Sequence, residues 1–156
     1  MSLYAMNNSS TNICENTILL DPDIQWKCPD GYYLVDVDGV TMSIGWYYST
    51  STKVWTAPPI ITASFSPNPV YVDQQTVLSW SAVNATSVKI ASQGDTVFPT
   101  SGSLNMTYST TGLQKEILFA TGPAGSSQAS ASVRIVAAGT SLEGVPSGVS
   151  SEPTVI

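Results

Sequence analysis

Short runs of β-branched and aromatic residues, separated by prolines and Asp-Gly or Gly-Pro turns, dominate this 156-residue chain. No segment of residues 12–57 sustains the 3.6-residue apolar period of an amphipathic helix. Near the other end, the apolar residues between Ala129 and Ile135 alternate strictly with other residues, which is the period-two pattern of a β-strand. The sequence therefore predicts an all-β protein made of short antiparallel strands.

The prolines and a change in composition divide the chain into segments. Ala57-Pro58-Pro59 fixes two backbone torsions and removes two hydrogen-bond donors, which is typical of a stiff connector. Beyond residue 137 the chain is rich in Gly, Ser and Pro and has too few large apolar side chains to bury a core. The predicted segments are an arm or lead-in strand (1–11), a small β-meander domain (12–57), a Pro-Pro linker (58–59), a β-sandwich (60–137) and an extended tail (138–156).

The first unit contains several short apolar runs between turn signals. The predicted strands are Ile13–Leu20, Trp26–Pro29, Tyr32–Val37, Met42–Tyr48 and Val54–Trp55, with turns at Asp21-Pro22-Asp23, Asp30-Gly31 and Asp38-Gly39. Its three tryptophans could supply most of a small core. A unit of this size is nevertheless marginal by itself, so we expect it to fold against another chain or against the second unit.

The second unit contains six or seven strand-like runs with the regular spacing of an antiparallel sandwich. Strands are predicted around Ile60–Ser64, Val70–Val72, Val77–Trp80, Val88–Ile90, Leu104–Tyr108, Ile117–Ala120 and Ala129–Ile135. Trp80 is expected at the centre of the core. The other predicted core residues are Val88, Ile90, Ile117 and Val133.

Composition excludes several classes of function. A formal charge of -6 with five scattered cations disfavours nucleic acid, and the absence of His removes the commonest general base. Asp21 with Asp23, and Asp36 with Asp38, lack the spacing of a known calcium loop. We therefore expect no enzyme, no metal and no cofactor. Cys14 and Cys28 could pair if their strands are neighbours, but nothing in the sequence decides it.

Targeting signals are also missing from the sequence. No window reaches the roughly 18 apolar residues of a membrane span. The polar residues Met1–Ser10 do not resemble a secretory signal, so we expect synthesis in a cytoplasm and no membrane insertion.

Residues 61–136 resemble bacterial and phage immunoglobulin-like modules. The resemblance rests on Pro69–Ile90 (PVYVDQQTVLSWSAVNATSVKI) and on the later hairpin Ala120–Gly125 (ATGPAG). The chain departs from the family pattern at Asp73, where Gly is usual. The resemblance implies an immunoglobulin-like β-sandwich, which in such proteins is a spacer or a weak adhesin.

The first unit is similar to a small domain of phage tail and fibre-cluster proteins. The matching runs are Trp26–Val35 (WKCPDGYYLV), Ile44–Tyr48 (IGWYY) and Trp55–Pro58 (WTAP), with Ser49-Thr50 replacing a usual Asp-Gly. Together the two resemblances imply a structural protein of a tailed-phage virion, most simply in the tail, baseplate or fibre. The alternatives are a capsid decoration protein, a host-surface glycan-binding adhesin and a fibre-assembly chaperone.

In this interpretation the first unit and the termini anchor the chain, and the sandwich is displayed or bridges to a neighbour. The expected partners are other virion proteins and further copies of the chain, with a weak host-surface glycan as a further possibility. Trp is enriched at protein–protein contacts, and adjacent strand residues point to opposite faces, which leaves some aromatic rings outside the core. The predicted interaction surface consists of Trp26, Tyr33, Trp46, Tyr48 and Trp55.

Overall fold

The computed structural model describes residues 1–21, 23–148 and 153–156, so Pro22 of the predicted turn and residues 149–152 of the predicted tail lie outside the described residues. Within these residues the chain consists of β-strands and one short 3₁₀ turn, Ala91–Gln93, with no α-helix, which confirms the predicted all-β class. The chain divides into two compact units, Met1–Pro58 and Pro59–Ile156. The boundary lies within the predicted Pro-Pro linker.

The first unit contains a three-stranded sheet and a separate hairpin. Its strands are β1 (Ser2–Asn8), β2 (Cys14–Leu20), β3 (Tyr32–Asp36), β4 (Tyr47–Ser49) and β5 (Val54–Thr56). The sheet order is β2-β1-β3, with β1 antiparallel to both neighbours, and β4 pairs with β5. The first residues are therefore the central strand of the sheet and not an arm, and the sheet is not a meander, in which β2 would be central.

One predicted strand of the first unit, Trp26–Pro29, does not form, and another forms only in part. Residues 25–29 and 41–43 have no regular secondary structure, and only the end of the predicted Met42–Tyr48 strand pairs, as β4. Both segments lie beside turns, where Pro29 and Gly45 interrupt regular pairing. Gly45 has a φ of +88°, a conformation that side-chain-bearing residues rarely adopt.

The core of the first unit is small. Its buried cluster consists of Ala5, Cys14 and Val37, with partly buried Leu3, Val35, Met42 and Trp55 packed against it. Asn7 is also fully buried, and neither polar atom of its side chain has a hydrogen-bond partner among the described residues. Burial of an unpartnered amide costs free energy, so this unit gains little stability from its own interior.

The second unit is built from two sheets. Its strands are β6 (Ile60–Ser66), β7 (Val70–Tyr71), β8 (Gln75–Val83), β9 (Ser87–Ile90), β10 (Val97–Phe98), β11 (Ser101–Thr107), β12 (Gly112–Gly122), β13 (Gly125–Val136) and β14 (Thr154–Val155). One sheet has the order β11-β8-β6. The other has the order β10-β9-β12-β13-β14, and β7 runs parallel to β13 at its edge. The core lies where β6 and β8 face β12 and β13.

Trp80 occupies the position expected for the central core residue. Its ring lies 5.4 Å from that of Phe98 in an edge-on arrangement, and its indole Nε1 donates to the Pro99 carbonyl at 3.0 Å. A Cβ atom on Gly102 would lie 2.7 Å from the indole, so the ring covers a position that must lack a side chain. Val88, Ile90 and Val133 are buried in the same cluster.

Ile117 requires a correction, because it lies outside this core. Glu116, Leu118 and Ala120 are the buried residues of β12, and Ile117 is only partly buried on the opposite face. The alternation of the strand makes the difference, since adjacent residues point to opposite sides of a sheet. The apolar run from Ile117 to Ala120 does not by itself reveal which of its residues face inward.

The predicted tail returns to the second unit. The Asn68 amide donates to the carbonyls of Ser132 (2.9 Å) and Gly148 (3.1 Å), and its Oδ1 accepts from the backbone N–H groups of Arg134 (3.0 Å) and Gly148 (3.1 Å). A Cβ on Gly148 would collide with the Ser132 backbone, so only glycine permits this approach. Further along, β14 pairs with Ser127 and Gln128 of β13.

We expect Leu118→Ala to destabilise the protein by about 2–5 kcal/mol, because it opens a cavity beside fully buried neighbours. Ile117→Ala should cost less than half as much, since its side chain lies outside the core. Urea unfolding followed by Trp fluorescence measures both free energies of unfolding. Equal losses for the two variants would contradict the register of β12.

Asn68→Ala should release the described tail, because it removes four hydrogen bonds that join Gly148, Ser132 and Arg134. We expect limited proteolysis within residues 138–148 to accelerate by about thirtyfold, since the two bonds to Gly148 contribute about 1 kcal/mol each. Gln75→Ala, at an exposed position of β8, is the matched control and should be cleaved like the parent. Unchanged cleavage of the Asn68 variant would show that Asn68 does not hold the tail.

Candidate functional site

The five aromatic residues predicted as an interaction surface differ in exposure. Trp26 is 39% exposed and lies in the irregular segment between β2 and β3. Tyr48 is only 8% exposed, so its place in the predicted surface is wrong. Tyr33, Trp46 and Trp55 are partly buried. Among the five, Trp26 therefore offers the most accessible ring.

Tyr48 and Trp55 form an internal pair across the β4–β5 hairpin. They are directly opposite in the register, and their ring centroids lie 4.8 Å apart at an angle of 44°. Trp55 also packs against the small buried cluster of the first unit. Aromatic cross-strand pairs stabilise short hairpins, so these two rings have a structural role.

Tyr33 and Trp46 also take part in hydrogen bonds within the first unit. The Tyr33 hydroxyl donates to Asn12 Oδ1 at 2.8 Å, and burial raises the pKa of this phenol. The Trp46 carbonyl accepts from the Cys14 backbone N–H at 2.9 Å, which joins the β4 segment to the sheet. Both residues hold loops in place and present only part of their rings to solvent.

Trp26 lines a surface pocket of about 140 Å³, here called the Trp26 pocket, which is defined by Ser2, Tyr4, Leu20, Asp21, Ile24 and Trp26. Ile24 is 65% exposed although its side chain is large and apolar. The pocket therefore combines aromatic and aliphatic walls with the hydroxyls of Ser2 and Tyr4 and the carboxylate of Asp21. Apolar walls with a few polar groups are typical of recognition sites.

Further aliphatic side chains of the first unit are exposed, and sequence reasoning missed them. Besides Ile24 they are Leu19, Val40, Ile44 and Val54. A signal for two of them was present, because Ile24 follows the Asp21–Asp23 turn and Val40 follows Asp38-Gly39. An apolar residue directly after a tight turn has few neighbours to bury it, which favours exposure.

The paired aspartates cap turns. Asp21 Oδ1 accepts from the Asp23 backbone N–H at 3.0 Å, and Asp36 Oδ1 accepts from that of Asp38 at 3.0 Å. Asp38 in turn accepts from the Leu3 backbone N–H at 2.7 Å, which lowers the pKa of its carboxyl group. Among the described residues no group of three or more His, Cys, Asp or Glu side chains is placed to hold a metal ion.

The two cysteines are unpaired thiols, which decides the point that the sequence left open. Cys14 is buried, and its Sγ donates to the Asn16 carbonyl at 3.2 Å, whereas Cys28 is partly exposed. Burial raises the pKa of the Cys14 thiol, which keeps it protonated and poorly nucleophilic. Cys14 is thus a small core residue.

Glu116 is the buried acid among the described residues, and it is held by Tyr108. The Tyr108 hydroxyl donates to Glu116 Oε1 at 3.1 Å, and the Tyr108 ring lies 6.3 Å from that of Phe65. Three causes raise the pKa of Tyr108: chiefly its burial, and to a smaller extent the negative charge of Glu116 and this hydrogen bond. The pair joins the end of β11 to β12 and has the geometry of a structural contact.

Comparison with known proteins assigns no family. No family model matches the chain, and no curated protein matches it. In the part of the chain that the structure describes, no helix is long and apolar enough to cross a membrane.

Alkaline pH should destabilise the protein partly through Tyr108. Its raised pKa means that the unfolded chain loses the phenol proton first, so stability is intact below about pH 10 and falls above it. Between pH 8 and pH 11, we expect the free energy of unfolding to fall by about 1 kcal/mol less in Tyr108→Phe than in the parent.

The measurement is urea unfolding at both pH values. Glu116→Gln is the companion variant, because it keeps an acceptor for Tyr108 but removes the charge that opposes tyrosinate. Its alkaline loss should lie between those of the parent and Tyr108→Phe. Identical losses in all three proteins would contradict this assignment.

Proposed function

We propose that this protein is a non-enzymatic structural component of a tailed-phage virion. The first unit docks on a repeated particle surface, and the second unit, an immunoglobulin-like sandwich, is displayed or bridges to a neighbour. The observation that carries the proposal is the contrast within the described residues of the first unit, where the fully buried cluster consists of Ala5, Cys14 and Val37 while Ile24 and Trp26 are exposed. Such a unit gains stability when a partner covers its apolar surface.

The Trp26 pocket defines the chemistry of the partner. Its Tyr4, Ile24 and Trp26 walls suit an apolar or aromatic side chain of another virion protein, and Asp21 suits a donor beside it. Residues 1–58 contain six Asp or Glu side chains against two Lys, so the complementary surface is neutral or basic around the apolar anchor.

The second unit supports the display role. Its described residues include a buried cluster of fourteen side chains, which is large enough for independent packing, in contrast to the cluster of the first unit. The strand order with β6, β8 and β11 facing β9, β12 and β13 supports the resemblance to immunoglobulin-like modules.

Mass spectrometry of particles purified from the phage that encodes the chain tests the proposal. Stoichiometric presence in mature particles would support it, and absence would contradict it and favour an assembly chaperone. The copy number separates the substructures, because a few to tens of copies indicate the baseplate or fibre cluster. Hundreds of copies would replace the preferred location with capsid decoration or the tail tube.

We expect Ile24→Ser combined with Trp26→Ser to reduce incorporation into particles by about tenfold or more, because truncation of buried interface anchors costs at least 1–2 kcal/mol each. Val97→Ser is the matched control, since Val97 is 61% exposed on β10 of the second unit. Circular dichroism verifies that both proteins fold. Normal incorporation of the double variant would exclude the Trp26 pocket as the anchor.

A further inference from the structure

The outer edge of β11 carries backbone groups that have no partner among the described residues. β11 is the last strand of the β11-β8-β6 sheet, and its Leu104 lies opposite Leu78. The Ala82 N–H donates to the Thr100 carbonyl at 2.7 Å, so by the antiparallel alternation Gly102, Leu104 and Met106 bond to β8. The N–H and C=O groups of the intervening residues, Ser101, Ser103, Asn105 and Thr107, therefore point away from the sheet.

The remaining sheet edges in the described part of the second unit are short, bounded by prolines at both ends, or covered. β10 has only two residues, and β6 lies between Pro59 and Pro67. The edge of β13 is paired by β7 at Ile135–Val136, by β14 at Ser127–Gln128, and between them by the Asn68 side chain. Edge strands are usually protected in such ways because an open edge pairs with other chains.

β11 has none of these protections. It is seven residues long, contains no proline, and pairs with β8 in one continuous register without a bulge. No charged residue occurs between Thr96 and Gln114, although the whole chain has a net charge of -6. Charge, proline and bulges are the usual devices against edge pairing, so this strand is suited to accept another strand.

We propose that β11 is a self-association edge, at which β11 of a second copy adds antiparallel about a twofold axis through Leu104. In this register Ser101 lies opposite Thr107 of the second copy, and Ser103 lies opposite Asn105. Each is a hydrogen-bonded pair, so every outward-pointing N–H and C=O of both strands finds a partner. The two three-stranded sheets become one six-stranded sheet. This inference concerns the second unit alone and does not depend on the docking role of the first.

A second copy fits this edge better than a charged partner does. With two copies of net charge -6, an acidic edge would repel its symmetry mate, whereas an uncharged edge does not. The inward-facing side chains also alternate in size, since the twofold axis places Gly102 opposite Met106 and Leu104 opposite Leu104. Leu104 and Met106 are only partly buried in the single chain, so pairing would cover them further.

The test is sedimentation equilibrium of the full chain over a range of concentrations. We expect a monomer–dimer equilibrium that Ser103→Lys with Asn105→Lys weakens by about tenfold, because each lysine then faces a lysine of the other copy. The variant Ser103→Glu with Asn105→Glu should be weakened likewise. A mixture of the two variants should restore association as a heterodimer, a result that misfolding cannot produce.

Thr62→Lys with Ser64→Lys is the matched control, because it places two lysines with the same spacing on the outer face of β6 in the same sheet. It should associate like the parent. Hydrogen exchange adds a local readout, in which the Ser103 and Asn105 amides become protected as concentration rises. A monomer at all concentrations, a dimer indifferent to the β11 charges, or sensitivity of the β6 variant instead would each overturn the proposal.

Discussion

The packing of Trp80 holds the second unit together and determines the form of its edge. The indole is anchored by its hydrogen bond to Pro99, contacts Phe98, and lies over Gly102 of β11. Because β11 carries glycine where the ring approaches, the strand can pair with β8 through seven residues without a bulge. A bulky residue at Gly102 would force either the ring or the strand to move. The regular outer edge of β11 thus depends on a contact in the core.

The two units bury their apolar side chains to different extents. The second unit places alternate residues of long strands, such as β12 and β13, in one large cluster. The first unit has short strands and many turns, so its large apolar side chains cannot all reach one interior. It leaves Ile24 and Trp26 in solvent and buries Asn7 without a partner among the described residues. Its stability therefore depends more strongly on its surroundings.

The sequence was informative where alternation is strict and misleading where it is not. The strands around Trp80 and Val133 and the all-β class follow directly from the period-two pattern. The side of β12 that faces inward does not, because Ile117 and Leu118 are both apolar. Long-range pairing could not be predicted from the sequence either, because only tertiary contacts place β1 at the centre of its sheet and Asn68 beside Gly148. Of the Trp26 pocket, the sequence predicted the tryptophan but not the aliphatic residues that line it.

Charge and hydrogen bonding together restrict where copies of this chain can meet. A net charge of -6 opposes close approach over most of the surface, and the β13 edge is covered by β7, by β14 and by the Asn68 side chain. The uncharged β11 edge avoids that repulsion and offers backbone groups, whereas the Trp26 pocket, which includes Asp21, offers aromatic and aliphatic side chains. Backbone pairing is tolerant of sequence but strict in geometry, so it suits identical copies. A side-chain pocket recognises the chemical character of the group that it binds, so it suits a protein other than a copy of this chain. We therefore propose that self-association and attachment use different surfaces, the β11 edge for the first and the Trp26 pocket for the second.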